Sequence, residues 1–143
     1  MKIVIGNDHS GVELKNVISN HLINKGYDII NVGTDSTEAI DYPIPGKAIA
    51  EEVLSGNADL GIAICGTGVG ISLVVNKIKG IRAVVCSEPF SAKLSREHNN
   101  TNILALGARV VNSGLALMIL DMWLEASFQG GRHQTRVDMI EQL

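Results

Sequence analysis

The sequence has few aromatic residues: one Trp, two Tyr and two Phe, 3% of 143 residues. A flavin or nucleobase module usually stacks its ring on such side chains, so those ligand classes are disfavoured. Cysteine is scarcer still. Cys65 and Cys86 are the only two, with no framework of spaced pairs, which fits a reducing compartment in which each thiol is either buried or reactive. No apolar run approaches the roughly 18–20 residues that span a bilayer. The short apolar run at residues 1–6 carries no cleavage-site pattern, so no signal peptide is expected. A soluble cytoplasmic protein follows as the expectation. The net charge of −3 gives no general attraction for nucleic acid or an anionic membrane. Any affinity for phosphate must therefore come from a local basic cluster.

What is present describes an ordinary core-forming chain. At 45% apolar and 19% charged residues it lies in the globular range, and its length suits one domain, residues 1–143. Short runs of Ile, Val, Leu and Ala end in Gly or polar residues, and each leads into a helical pattern. Strands are expected over residues 2–5, 28–32, 59–65, 81–86 and 102–106. Helices are expected over 12–25, 43–54, 70–77, 89–97, 113–127 and 132–143, with Gly130-Gly131 the one plausible hinge. Strand and helix alternate throughout, which predicts a parallel sheet covered on both faces. In such α/β folds ligands bind beyond the carboxyl ends of the strands.

The unusual residues lie just after those strands. Gly6-Asn7-Asp8-His9-Ser10-Gly11 follows the first, where Asp8 and His9 suit acid–base work or contact with a hydroxyl or phosphate. Asp8 or Ser10 capping the next helix explains the segment equally well. Tyr42, ahead of Pro43, can hydrogen-bond a ligand or merely open a helix. After the third strand comes Cys65-Gly66-Thr67-Gly68-Val69-Gly70-Ile71. Its alternating glycines let several N–H groups converge on one anion, reinforced by the following helix dipole. The dinucleotide fingerprint fails, because Ile71 and Leu73 stand where another Gly is needed and no acidic residue follows at the required distance. No P-loop Gly-Lys-Ser or Gly-Lys-Thr is present either.

Cys65, at the lip of that loop, would without it read as a small buried thiol finishing a strand; the loop gives it surroundings that favour a thiolate. Such a group can take a proton from a carbon beside a carbonyl while the loop amides hold the enediolate oxygen. Thr67 can add a hydroxyl donor. Cys86 has no comparable loop and reads as a buried thiol. His98 ends the fourth helix, where it complements the dipole or, beside Asn99, passes protons to a sugar-ring oxygen. Arg109 follows the fifth strand. Arg132 and Arg136, four apart on one helical face with His133 between them, read singly as exposed arginines, but the preceding Gly130-Gly131, which frees the backbone for close approach, favours a phosphate clamp.

Six segments together carry a resemblance: Asp8-His9-Ser10-Gly11, Asp41-Tyr42-Pro43, Cys65 through Ile71, Arg82-Ala83-Val84-Val85, His98-Asn99 with Asn102, and Gly130-Gly131-Arg132-His133. In this order, over essentially the whole chain, they resemble the sugar-phosphate isomerase family of ribose-5-phosphate isomerase B and the galactose-6-phosphate isomerase subunits. The resemblance implies a Rossmann-like three-layer α/β/α fold with a five-stranded parallel sheet and a C-terminal helical extension. It implies a homodimer or homotetramer with active sites at the subunit interface. The reaction it implies is interconversion of ribose 5-phosphate and ribulose 5-phosphate without metal or other cofactor.

Carried over by residue, Cys65 matches the proton-shuttling base. Thr67 and the Gly66, Gly68, Val69 and Gly70 amides match the enediolate loop. His98 and Asp8 match the ring-opening groups, while His9, Arg109, Arg132, His133 and Arg136 match phosphate-side positions. Tyr42 and Asn99 match substrate contacts. Residues 71–74 contain no Glu, so the chain resembles the cysteine-type branch. Leu73-Val74-Val75 departs from the smaller residues usual there, which touches helix packing more than chemistry. Rival readings are the same chemistry on allose or galactose 6-phosphate, and a flavodoxin-like module that binds phosphate without turnover.

Overall fold

The computed structural model describes residues 1–143. Strands β1 (Lys2–Asn7), β2 (Asp28–Asn31), β3 (Leu60–Cys65), β4 (Ala83–Val85) and β5 (Ile103–Gly107) alternate with helices α1 (Val12–Asn24), α2 (Pro43–Leu54), α3 (Val69–Asn76), α4 (Pro89–Asn99), α5 (Ser113–Glu125) and α6 (Arg132–Glu141). A short 3-10 turn, His9–Gly11, precedes α1. The five strands form one all-parallel sheet in the order β2-β1-β3-β5-β4. Strand order reverses between β1 and β3, so the crevice where ligands bind in such folds opens between Asn7 and Cys65. No helix is long and apolar enough to cross a membrane.

Side chains alternate across the strands, and the two sheet faces are built differently. Ile3, Ile5, Ile62, Ile64, Leu104 and Leu106 enter one core with α1, α5 and Ala92 of α4. Val4, Ala63, Cys65, Ile103 and Ala105 face the other, against α2 and α3. The second face mixes Val4 and Ile103 with the smaller Ala63, Cys65 and Ala105. Gly6 and Gly61 leave room on it for α2: a Cβ on either would lie 2.8 Å from Ile49 of that helix. This brings α2 and α3 close to the sheet, and Cys65 belongs to that closely covered face.

Element ends depart from expectation where local partners intervene. Strand β4 starts only at Ala83, where Arg82 N–H donates to the Asn102 side chain at 2.8 Å rather than to a strand. Helix α4 runs two residues past Glu97 to Asn99 and stops at Asn100, whose φ of 48° ends the helix in a left-handed cap. Helix α5 ends at Glu125 because Ala126 is extended. Gly130 and Gly131 have φ of 65° and 59°, the turn that lets α6 return onto α4.

Below α4 lies a closed polar chain. Trp123, fully buried in α5, donates its indole N–H to Thr101 Oγ1 at 2.9 Å, and Thr101 Oγ1 meets Ser95 Oγ at 2.9 Å. Thr101→Val keeps the shape and strands the indole N–H. We expect it to cost about 1–3 kcal/mol, read from urea unfolding followed by fluorescence of the single tryptophan.

Candidate active site

The carboxyl ends of β1, β3 and β5 converge through backbone hydrogen bonds. Asp8 N–H donates to Ile64 O at 3.1 Å, Ala108 N–H to Cys65 O at 2.9 Å and Arg109 N–H to Gly66 O at 2.9 Å. The β3–α3 loop lies between them. Gly68 has φ of 79°, and a Cβ there would meet the Leu106 carbonyl carbon at 2.9 Å. That conformation swings the Gly68 N–H back onto Cys65 Sγ at 3.2 Å. Cys65 is only 4% exposed. Thr67 Oγ1 accepts from Val69 N–H at 3.3 Å, which leaves its own hydroxyl proton to donate. The Arg109 side chain lies over Gly66, where a Cβ would sit 3.4 Å from its guanidinium.

Two more residues border this loop. A Cβ on Gly70 would stand 2.7 Å from Tyr42 Cζ, so the Tyr42 ring rests on the bare backbone of Gly70. His9 accepts at Nδ1 from Ile40 N–H at 3.2 Å. In the neutral ring the proton therefore sits on Nε2. Asp8 uses Oδ1 to receive Ser10 N–H at 3.0 Å and the Ser10 hydroxyl. The cap expected for this turn is present, and Oδ2 is left without a protein donor.

The other residues singled out from the sequence lie elsewhere. Helix α4 starts beyond the carboxyl end of β4 and runs back over 11 residues, about 16 Å, to the start of β5. His98 and Asn99 thus sit at the amino end of the sheet. Arg82, just before β4, confirms the placement by donating from Nε to Asn99 O at 3.2 Å. His133 of α6 stacks on His98 with ring centroids 4.3 Å apart and planes at 7°. Arg132 and Arg136 flank it, both exposed. One chain therefore brings together Asp8, His9, Tyr42, Cys65, Thr67 and Arg109 at one end. His98, Asn99, Arg132, His133 and Arg136 gather at the other, and the expected single basic cluster is split.

Charge separates these arginines from the rest. Arg82 is paired with Glu141 at 2.7 Å, and Arg96 donates to Thr101 O. Arg109, Arg132 and Arg136 have no carboxylate within salt-bridge distance. No three His, Cys, Asp or Glu side chains are grouped to hold a metal ion. The largest cavity, about 380 Å³, is lined by Arg82, Asn99 and Ile140 at the His98 end, and no cleft of the single chain is lined by Cys65. Burial and Glu88 push the Cys86 thiol up to about 11, so it remains protonated.

Sequence reading passed over Asn7 and Lys15. Both are buried polar residues beside the Asp8 turn. The only signal available was a polar residue inside an otherwise apolar strand and a lysine at a core-facing position of α1.

A family model described as Ribose/Galactose Isomerase matches residues 3–140. The ribose-5-phosphate isomerase B of Escherichia coli (strain K12) is 56% identical over 139 residues, covering 97% of this chain and 93% of that protein. The solved structure of Clostridium thermocellum ribose-5-phosphate isomerase B superposes with a TM-score of 0.98 at 56% identity, over 99% of this chain and 96% of that one. A Mycoplasma genitalium ribose-5-phosphate isomerase B, crystallised with bound ribulose-5-phosphate, gives 0.94 at 40% identity, over 99% and 94%.

The histidine stack has a measurable consequence. Burial, then the charges of His98, Arg132 and Arg136, hold the His133 imidazole below its ordinary value of 6.5. The unfolded chain takes up this proton first as pH falls, so stability declines from pH 6.5 down to the lowered folded value. In a histidine NMR titration His133 is expected to titrate below 6.5, and to move upward in His98→Asn.

Proposed function

Because the chain belongs to the ribose/galactose isomerase family, we propose that residues 1–143 form one isomerase domain that interconverts D-ribose 5-phosphate and D-ribulose 5-phosphate in pentose phosphate metabolism. The observation that carries this reading is Cys65 Sγ held 3.2 Å from the Gly68 N–H at the mouth of the glycine loop. A sulfur base and a set of amide donors there address adjacent atoms of one small substrate.

The proposed chemistry starts from the open-chain aldose, with His98 and Asp8 assisting ring opening. Cys65 thiolate removes the C2 proton, and electrons move through C1–C2 onto O1. The loop amides and the Thr67 hydroxyl stabilise that enediolate oxygen. The thiol then returns the proton to C1. A second proton passes from O2 to O1, which leaves a ketone at C2 and balances the step. Arg109, Arg132 and Arg136 are the proposed phosphate partners, with His9 and His133 beside them. Anchoring the phosphate orients C1 and C2 against the sulfur.

One chain does not bring all these groups to one sugar, since Cys65 and His98 stand at opposite ends of the sheet. A pentose phosphate is far shorter than that separation. We therefore read the enzyme as a homodimer, or a pair within a tetramer, in which one copy's His98 end completes the other's Cys65 end. Exposed Ile44, Val69 and Leu73 on α2 and α3 give the Cys65 end an apolar surround suited to a second copy. A cytoplasmic location is consistent with two unpaired thiols.

Turnover of ribose 5-phosphate should persist in EDTA and fall by about two to four orders of magnitude or more in Cys65→Ala. Failure of folded wild type to turn it over would point to a hexose 6-phosphate, and failure on both to a binding module. Mixing inactive Cys65→Ala with inactive His98→Asn, then allowing subunits to exchange, should restore about a quarter of wild-type activity through mixed dimers. Recovery of none would place each whole site within one chain.

A further inference from the structure

Lysine is rarely buried unless its ammonium finds acceptors. Lys15 of α1 is 1% exposed. Its Nζ donates to the Thr34 carbonyl at 2.6 Å and to the Asp35 carboxylate. Asn7, fully buried at the end of β1, donates from Nδ2 to the same Thr34 carbonyl at 3.0 Å and to Asp8 O at 2.8 Å. Thr34 N–H returns to Asn7 O at 3.3 Å. A Cβ on Gly33 would fall 2.0 Å from Asn7 Oδ1. The chain leaving β2 is therefore fastened at residues 33–35 to the end of β1, one residue before Asp8.

The far part of the same loop reaches the Cys65 end. Ile40 N–H donates to His9 Nδ1 at 3.2 Å, and two residues later the Tyr42 ring lies on Gly70. The loop thus has a root held by Lys15 and Asn7, and a tip that orients two ligand-facing side chains. Asp35 is largely exposed, and its bond to Lys15 holds its carboxyl below the usual carboxylate range. An ammonium serving only a surface ion pair needs no burial. Here it is buried because it also takes the Thr34 carbonyl.

We propose that Lys15 is a positioning residue of the isomerase site. Its buried ammonium fixes the root of the 33–42 loop, so that Ile40 keeps the His9 proton on Nε2 and Tyr42 stays over Gly70. Lys15 contacts no substrate and acts through that loop. The inference rests on the isomerase reading for its kinetic part, but its structural part is measurable without substrate.

The test compares full-length Lys15→Met, Asp35→Asn and wild type by amide hydrogen exchange and by steady-state kinetics on ribose 5-phosphate. In Lys15→Met we expect exchange across residues 34–41 to rise about tenfold or more, with strands β1 and β3 unchanged. KM should rise about tenfold while kcat changes less, since oriented binding is what is lost. Asp35→Asn leaves the Thr34 bond in place and should move both readouts the same way by about two- to threefold. A Lys15→Met protein with a lower Tm but wild-type loop exchange and KM would overturn the proposal, because the lysine would then serve only the core. If Lys15→Met does not fold, Asp35→Asn decides: unchanged exchange and KM overturn the proposal, and the paired shift supports it. Should wild type not turn over ribose 5-phosphate, the ribose 5-phosphate reading fails by itself. Loop exchange then decides the lock: faster exchange in Lys15→Met supports it and unchanged exchange sinks it.

Discussion

The loop after β3 is pressed against the end of β5 so tightly that neither side has room for a side chain. A Cβ on Gly68 would strike the Leu106 carbonyl carbon at 2.9 Å, and one on Gly107 would strike the Thr67 carbonyl at 2.6 Å. Only two facing glycines allow this approach. The contact sets the left-handed turn at Gly68, and that turn aims an N–H at Cys65. It also brings Arg109 down over Gly66, because the backbone bond between those residues extends the β3–β5 pairing beyond the strands. The Cys65 thiol proposed as base, the loop amides and one cation are thus arranged by a packing constraint between two strand ends.

The same architecture decides what a single chain cannot assemble. In a parallel sheet every connecting helix must run back to the starting edge. A residue near the start of α3 stays with the strand ends, and one near the end of α4 is carried to the opposite edge. Val69 and Gly70 are of the first kind, His98 and Asn99 of the second. Helix α6 then packs on α4 and adds Arg132, His133 and Arg136 to the distant group. Topology therefore divides the candidate residues into two groups, and helix direction is the physical ground for the subunit interface proposed above.

Much of this was legible before any coordinates. The five apolar runs, their glycine stops and the helical patterns between them place every element, and α2 falls on residues 43–54 as expected because Pro43 opens it and the apolar spacing is unambiguous. The glycine loop announces its own geometry, since alternating glycines after a buried strand have few other uses. Position across the sheet was less legible. His98 reads as a helix-end histidine beside Asn99, and nothing in the spacing says which edge it occupies until strand order is known. Lys15 and Asn7 were invisible for a related reason: their common partner, Thr34, lies 19 and 27 residues away. Burial that depends on so distant a carbonyl leaves no local pattern.

The chain has five arginines and a net charge of −3, so acidic partners are not scarce. Arg82 takes one, bridging Glu141 and the carbonyls of Asn99 and Asn100, and fixes the end of α4. Arg96 turns inward to the Thr101 carbonyl and lies 5.6 Å from the Trp123 ring. Arg109, Arg132 and Arg136 remain unpaired, the first at one end of the chain's sheet and the others around the histidine stack. Burial first, and then the charges of His98, Arg132 and Arg136, disfavour the protonated form of His133. A phosphate dianion placed among them would offset those charges. In the proposed site phosphate binding and protonation of His133 would thus be linked, and a neutral sugar carries no charge to link them.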